Sequence, residues 1–232
     1  MKLLLTSGGI TNDSIVQTLR GLVGKPLSEA RIAVIPTGHN PEAGDKGWVV
    51  QEDFGQPYQL GWKQFSIVDL AAVATLEKDL WWPQLEESDV LLVGGGNTFY
   101  LSYWMQQCGL FDAIPKWLDS KVYIGISAGS QIAGADLRVT SEALAVSDTL
   151  TDEEYDEIGP PGQSSGKTLG LVDFTFRPHL DSPDFPKAQT NYLKDVAAKL
   201  DAPMYALDDQ SALVVTNGKT EVVSEGAWHL FE

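Results

Sequence analysis

Val122-Tyr123-Ile124-Gly125-Ile126-Ser127-Ala128-Gly129-Ser130 is the stretch that decides the reading of this chain. A short apolar run ends at a serine flanked by two glycines, and Gln131-Ile132-Ala133-Gly134-Ala135 follows with helical character. The layout is strand, sharp turn and helix, with the serine at the apex of a G-x-S-x-G nucleophile elbow. Such a turn strains the serine backbone, and side chains two residues away on either side would clash. Glycines at 125 and 129 remove that clash. The hydroxyl then stands above the carboxyl end of a sheet, at the positive end of the next helix. A plainer reading of the same residues is a small-residue turn that packs a helix against a sheet.

Further short apolar runs lie on either side of the elbow. Leu3–Leu5, Ile32–Ile35, Phe65–Val68, Val90–Val93 and Val122–Ile126 each end in turn residues. They read as parallel strands buried on both faces. Segments 12–23, 98–107 and 109–119 have helical spacing. Strand–helix alternation predicts an α/β fold: a doubly wound, mostly parallel sheet with helices on both faces. Residues 147–168 turn acidic, then rich in Gly, Pro and Ser, and read as a surface loop. A helix led by Pro186 is predicted over 186–200. Met204–Leu207, Ala212–Thr216, Glu221–Ser224 and Trp228–Phe231 look like shorter strands, with Asn217-Gly218 as a hairpin turn. There is no internal repeat and no linker that forces a division, so residues 1–232 are expected to form a single domain.

With 43% hydrophobic and 21% charged residues, the chain is globular in composition rather than disordered. Its net charge of −16 repels phosphate backbones, which argues against a nucleic-acid partner. No apolar run reaches 18 residues, so no membrane span is expected. Met1–Leu5 is too short for a signal-peptide core and reads as the first buried strand. The single cysteine, Cys108, cannot form an internal disulfide and suits a cytoplasmic protein. No His, Cys or Asp cluster has metal-ligand spacing, so neither metal nor organic cofactor is expected.

A serine nucleophile needs a base, and three histidines are available: His39, His179 and His229. His179 follows Arg177-Pro178, where proline stiffens the approach to the ring, and it is the favoured base. His39, in a loop after the second strand, is the runner-up, and His229 reads as structural. A carboxylate should orient the histidine. Asp208-Asp209, at the end of Met204–Leu207, is the best-placed pair, with Asp136 and Asp181 as further candidates. An oxyanion hole could come from the glycines of Val93-Gly94-Gly95-Gly96-Asn97-Thr98-Phe99 together with the Ala128 amide. Two nucleotide-binding look-alikes fail. Phe99 stands where G-x-G-x-x-G needs a small residue, and Pro161 stands where a P-loop before Ser165-Gly166-Lys167-Thr168 needs glycine.

With Gly94-Gly95-Gly96-Asn97-Thr98-Phe99, Gly125-x-Ser127-Ala128-Gly129-Ser130 and Pro178-His179 in this order, the chain resembles the dipeptidase E and cyanophycinase family of serine peptidases. The resemblance implies a class I glutamine amidotransferase-like fold and hydrolysis of short peptides. Ser127 then matches the nucleophile, His179 the base, Gly96 and Ala128 the oxyanion amides, and Asn97 a substrate contact. Asp209 matches an acidic third member that is usually glutamate in dipeptidase E. That enzyme holds an amino-terminal aspartate with an arginine downstream of the catalytic histidine. Here no arginine follows Arg177. A strong aspartyl preference is therefore not expected; Arg177, if its strand end turns inward, is a candidate substrate contact, and Lys187 and Lys194 are the other nearby cations. The expected partner is a small peptide, and a homodimer is compatible with the chain. A metabolite- or partner-binding protein without catalysis, or an esterase or amidase, would fit the same residues.

Overall fold

The computed structural model describes residues 1–140 and 160–232. The acidic part of the expected loop, 147–159, lies outside them, while 160–168 run without helix or strand. Ten strands are described: β1 (Lys2–Thr6), β2 (Arg31–Ile35), β3 (Gln64–Ile67), β4 (Val90–Val93), β5 (Val122–Ile126), β6 (Thr175–Arg177), β7 (Met204–Leu207), β8 (Ser211–Thr216), β9 (Lys219–Ser224) and β10 (Trp228–Phe231). Seven of them form one sheet in the order β3-β2-β4-β5-β1-β8-β9. β1 to β5 run parallel. β8 and β9 close one side as antiparallel neighbours. The fold is therefore α/β with a mixed, mostly parallel main sheet.

Side chains of β1, β2, β4, β5 and β8 alternate across this sheet and bury on both faces, whereas β3, expected to be buried on both faces, lies at the sheet edge with Gln64 and Ile67 exposed. Leu3, Leu5, Ile35, Leu91 and Val93 pack on one side with Leu101 and Met105 of the helix Thr98–Gln107 and Leu110 and Ile114 of the helix Leu110–Trp117. Leu4, Ile32, Val34, Leu92 and Ile124 pack on the other with Ile15, Leu19 and Leu22 of the helix Asp13–Val23. Helix starts follow capping chemistry. Asn12 Oδ1 accepts from the Ile15 amide at 3.0 Å, and Asn97 Oδ1 from the Tyr100 amide at 2.9 Å. The β8–β9 hairpin turns on Asn217 and Gly218, both left-handed at φ 52 and 74, as a two-residue hairpin loop requires.

The second half holds what sequence periodicity does not reveal. β10, β7 and β6 form a separate three-stranded sheet, with β6 and β7 parallel and β10 antiparallel to β7. Its core includes Leu180, Tyr192, Leu193, Val196, Met204 and Ala206. The helix expected over 186–200 is shorter and interrupted. Pro186–Ala188 makes a single tight turn, Gln189 is extended at ψ 138, and the helix proper is Thr190–Ala197. Asp181 is the cause: its carboxylate accepts from the Thr190 amide at 2.7 Å and the Thr190 hydroxyl at 2.8 Å, so the helix starts there. Asp208–Gln210 links the small sheet, at the end of β7, to β8 of the large one.

Candidate active site

Ser127 follows β5 with φ 46 and ψ −105, outside the comfortable regions for a residue with a Cβ. Holding such a residue costs on the order of 1–3 kcal/mol, which the surroundings must supply. Its amide donates to the carbonyls of Thr6 and Ser7, both at 3.1 Å, which ties the elbow to the end of β1. The neighbouring Ser130 hydroxyl donates to Thr6 as well, at 2.7 Å. The flanking glycines are required by contact. A Cβ at 129 would sit 2.0 Å from the Val93 carbonyl oxygen, and one at 125 would sit 2.6 Å from the Ser130 nitrogen.

His179 lies two residues beyond β6, and its Nε2 is 3.0 Å from Ser127 Oγ. Its Nδ1 is 2.8 Å from Oδ1 of Asp209, two residues beyond β7. Because β6 and β7 are parallel neighbours, His179 and Asp209 leave the small sheet side by side and meet Ser127 from the large one. Several contacts hold the histidine, which has φ 60. Its ring stacks on Phe185 at 4.3 Å between centroids and 12° between planes. The Leu180 amide donates to the Leu207 carbonyl at 3.0 Å. Ser7 joins His179 and Asp209: its Oγ accepts from the His179 amide at 2.8 Å and donates to Asp209 Oδ1 at 2.6 Å. Burial acts to raise the Asp209 carboxyl, but the His179 hydrogen bond and charge and the Ser7 hydrogen bond outweigh it and hold the group below its ordinary range. Gly8 must lack a side chain, since a Cβ there would lie 2.7 Å from that of Asp209.

The remaining candidates separate by position. Gly96 and Asn97 line a cavity of about 560 Å³ that opens on Ser127 and His179. Ala128 opens the helix that follows Ser127. Nearby amides are engaged: Gly95 donates to Asp53, Asn97 to the Gly38 carbonyl and Gly129 to the Gly94 carbonyl. Among the described residues the Gly96 and Ala128 amides have no such acceptor. Arg177 does not reach the cleft. All three residues of β6 are buried, and the arginine, 0% exposed, is not part of the cavity lining. Lys187 is also buried and Lys194 is exposed, and neither lines the cavity. His39 contacts the Pro36 carbonyl, and burial lowers its pKa. His229 sits exposed in β10. Asp208 accepts from the Ala227 amide at 2.6 Å, Asp136 pairs with Arg138 at 2.6 Å, and Asp181 caps the helix at Thr190. Of the four acids, Asp209 is the one that meets a histidine.

Sequence reasoning missed Ser7, Phe185, Trp48 and the pair Glu52–Asp53. The pair lies on a π-helical turn, Val50–Gly55, in which the Gln56 amide bonds back to the Gln51 carbonyl and Pro57 then offers no N–H. Glu52 lines the cavity with Trp48. Burial pushes the Glu52 carboxyl up to about 7, with His179 opposing the rise and Asp209 adding to it. Asp53 is 0% exposed, accepts from the Gly95 amide at 3.3 Å, and is also pushed up to about 7 by burial. The one available signal for this element is weak: Glu-Asp-x-Gly-x-Pro breaks helical spacing after Trp48. Among the described residues no group of His, Cys, Asp or Glu is arranged to hold a metal ion, and no helix is long and apolar enough to cross a membrane.

Residues 3–223 match the model of peptidase family S51. The chain belongs to that family. Peptidase E of Streptomyces coelicolor is 32% identical over 154 residues, 64% of this chain and 57% of the relative. Peptidase E of Shewanella amazonensis is 33% identical over 96 residues, 41% of this chain and 34% of the relative. The alignments thus span about half or less of these curated relatives. A solved structure from Listeria monocytogenes EGD-e, described as a candidate peptidase E, covers 97% of this S51 chain and 98% of its own, with a TM-score of 0.71 at 20% identity. A peptidase from an acI-B1 actinobacterium covers 99% of this chain and 89% of its own, with a TM-score of 0.67 at 16% identity. At those identities the likeness establishes the fold.

Proposed function

We propose that this S51 chain is a serine-type peptidase acting on short peptides, with residues 1–232 as one catalytic domain. The observation that carries the reading is the continuous Ser127–His179–Asp209 relay, with links of 3.0 and 2.8 Å. Ser127 Oγ attacks the scissile carbonyl while His179 Nε2 takes its proton. Asp209 accepts from Nδ1–H, which fixes the tautomer and stabilises the imidazolium that forms. The Gly96 and Ala128 amides receive the oxyanion, a role for which their lack of another acceptor suits them. His179 then returns the proton to the leaving amine, and water releases the acyl group by the same steps in reverse order. Asn97 borders the substrate position on the cavity wall. No cofactor takes part in this scheme. Buried, unpaired Cys108 suits a cytoplasmic location. The acidic chain disfavours nucleic acid as a partner. A fluorophosphonate probe should label Ser127, and the labelled protein should lose dipeptide hydrolysis in proportion. Labelling elsewhere, or hydrolysis that survives full labelling, would reject this mechanism.

A further inference from the structure

The cavity beside Ser127 carries charge of almost one sign. Glu42, Asp45, Glu52, Asp184 and Asp209 contribute to its wall, and His179 is the one basic side chain there among the described residues. The nearby cations are held elsewhere. Lys46 donates to the carbonyls of His39 and Asn40 at 2.9 and 3.3 Å, and Arg177 and Lys187 are buried away from the cavity. An anionic substrate group would leave water for a partly buried site with no lysine or arginine to receive it, which is costly.

Glu52 stands apart from the other acids close to the relay. Asp209 is committed to His179 and Ser7. The Glu52 carboxyl has no hydrogen-bond or ion-pair partner among the described residues, yet it is half-buried and held up to about 7. It lines the same cavity as Ser127, His179 and Asp209. Trp48, Phe99 and Phe185 supply aromatic surface to the same cavity. A carboxylate beside aromatic faces favours a cation, which gains from both.

We propose that Glu52 receives a substrate ammonium group, and that the cavity selects cationic peptides against anionic ones. This rests on the peptidase reading of the same cleft. The ammonium could be the free amino terminus next to the scissile carbonyl or a basic side chain. The chemistry is shared, and a small ligand set separates the two.

The test is calorimetric binding to the Ser127→Ala protein at pH 8, which needs no turnover. The probes are lysyl-leucine, norleucyl-leucine, aspartyl-leucine and N-acetyl-norleucyl-leucine. Aspartyl-leucine should bind at least about tenfold more weakly than norleucyl-leucine. If the amino terminus is the group received, acetylation should cost at least about tenfold. If the side chain is received, lysyl-leucine should exceed norleucyl-leucine by a similar factor. Adding Glu52→Gln should shrink the operative ratio to below about threefold, with a melting temperature that reports an intact fold. Equal binding of all four probes, no binding by any, or ratios unchanged by Glu52→Gln would each overturn the proposal. The two readings fail separately. Labelled Ser127 with unselective binding sinks the cation receptor alone. Selective binding without labelling sinks the peptidase and leaves the receptor standing.

Discussion

Ser127 and His179 both sit at left-handed backbone angles, φ 46 and 60, and each is held there by bonds from elsewhere in the chain. Strain of that kind fixes the Oγ and Nε2 positions before any substrate arrives. Ser127→Ala should lower turnover by on the order of 10³-fold or more, and adding His179→Ala should make it hardly worse, because the two act as a unit. The double-mutant cycle in kcat/KM checks this, and independent losses that multiply would contradict it. Under the proposed mechanism Ser7 is a positioning residue, since its hydroxyl accepts from the His179 backbone amide and donates to the Asp209 carboxylate. Ser7→Ala should reduce kcat about tenfold, equivalent to roughly one hydrogen bond, with KM little changed. A shift in KM alone would deny Ser7 its positioning role. The elbow could be read from residues because its demands are local: two glycines and a serine within five positions. Ser7 could not, because its partners lie 172 and 202 residues away.

The π-helical turn Val50–Gly55 places Glu52 against the cavity and sends Asp53 inward to the Gly95 amide. Asp53 Oδ2 is buried with no hydrogen-bond partner among the described residues, which suits a protonated carboxyl. Its pKa is raised from the ordinary 3.8 to about 7 by burial. Between those values the folded state binds more protons than the unfolded, so stability contributed by this group falls as pH rises. Above about pH 7 the full penalty is present. Asp53→Asn stays neutral throughout and removes that penalty. Urea titrations should show the variant gaining on the order of 1–3 kcal/mol relative to wild type between pH 5 and pH 8. A difference that stays flat across that range would place the charge of Asp53 elsewhere. The helix after Pro186 teaches a related lesson about elements: residue spacing suggests one long helix, but the Asp181 carboxylate sets its start at Thr190.

At the scale of the molecule, a net charge of −16 and an acidic cavity act in the same direction on an approaching peptide. Raising salt from roughly 0.01 M to 0.1 M shortens the screening length from about 30 to about 10 Å. Over that range kcat/KM for lysyl-leucine should fall by about threefold and that for aspartyl-leucine should rise, with norleucyl-leucine nearly flat. Parallel responses by all three would mean that the field does not steer substrate. The strands β1 to β5, the helices at 13–23, 98–107 and 110–117 and the elbow were legible in the sequence, because each follows from neighbouring residues: apolar runs, caps and glycines. The short helices and the π-turn between β2 and β4 were not, and the helix after the elbow is only Ala128–Gln131. The histidine could be narrowed to His179, but the acid stayed open among Asp136, Asp181, Asp208 and Asp209. Only the tertiary structure decided which of them meets His179. Pairing β6 with β7 in a second sheet turns Asp209 toward His179 and leaves Asp208 bonded to Ala227. The same holds for Glu52 and for Arg177, one brought to the cavity by a π-turn and the other enclosed by its strand. These outcomes depend on contacts between distant parts of the chain, and periodicity within a segment carries no record of them.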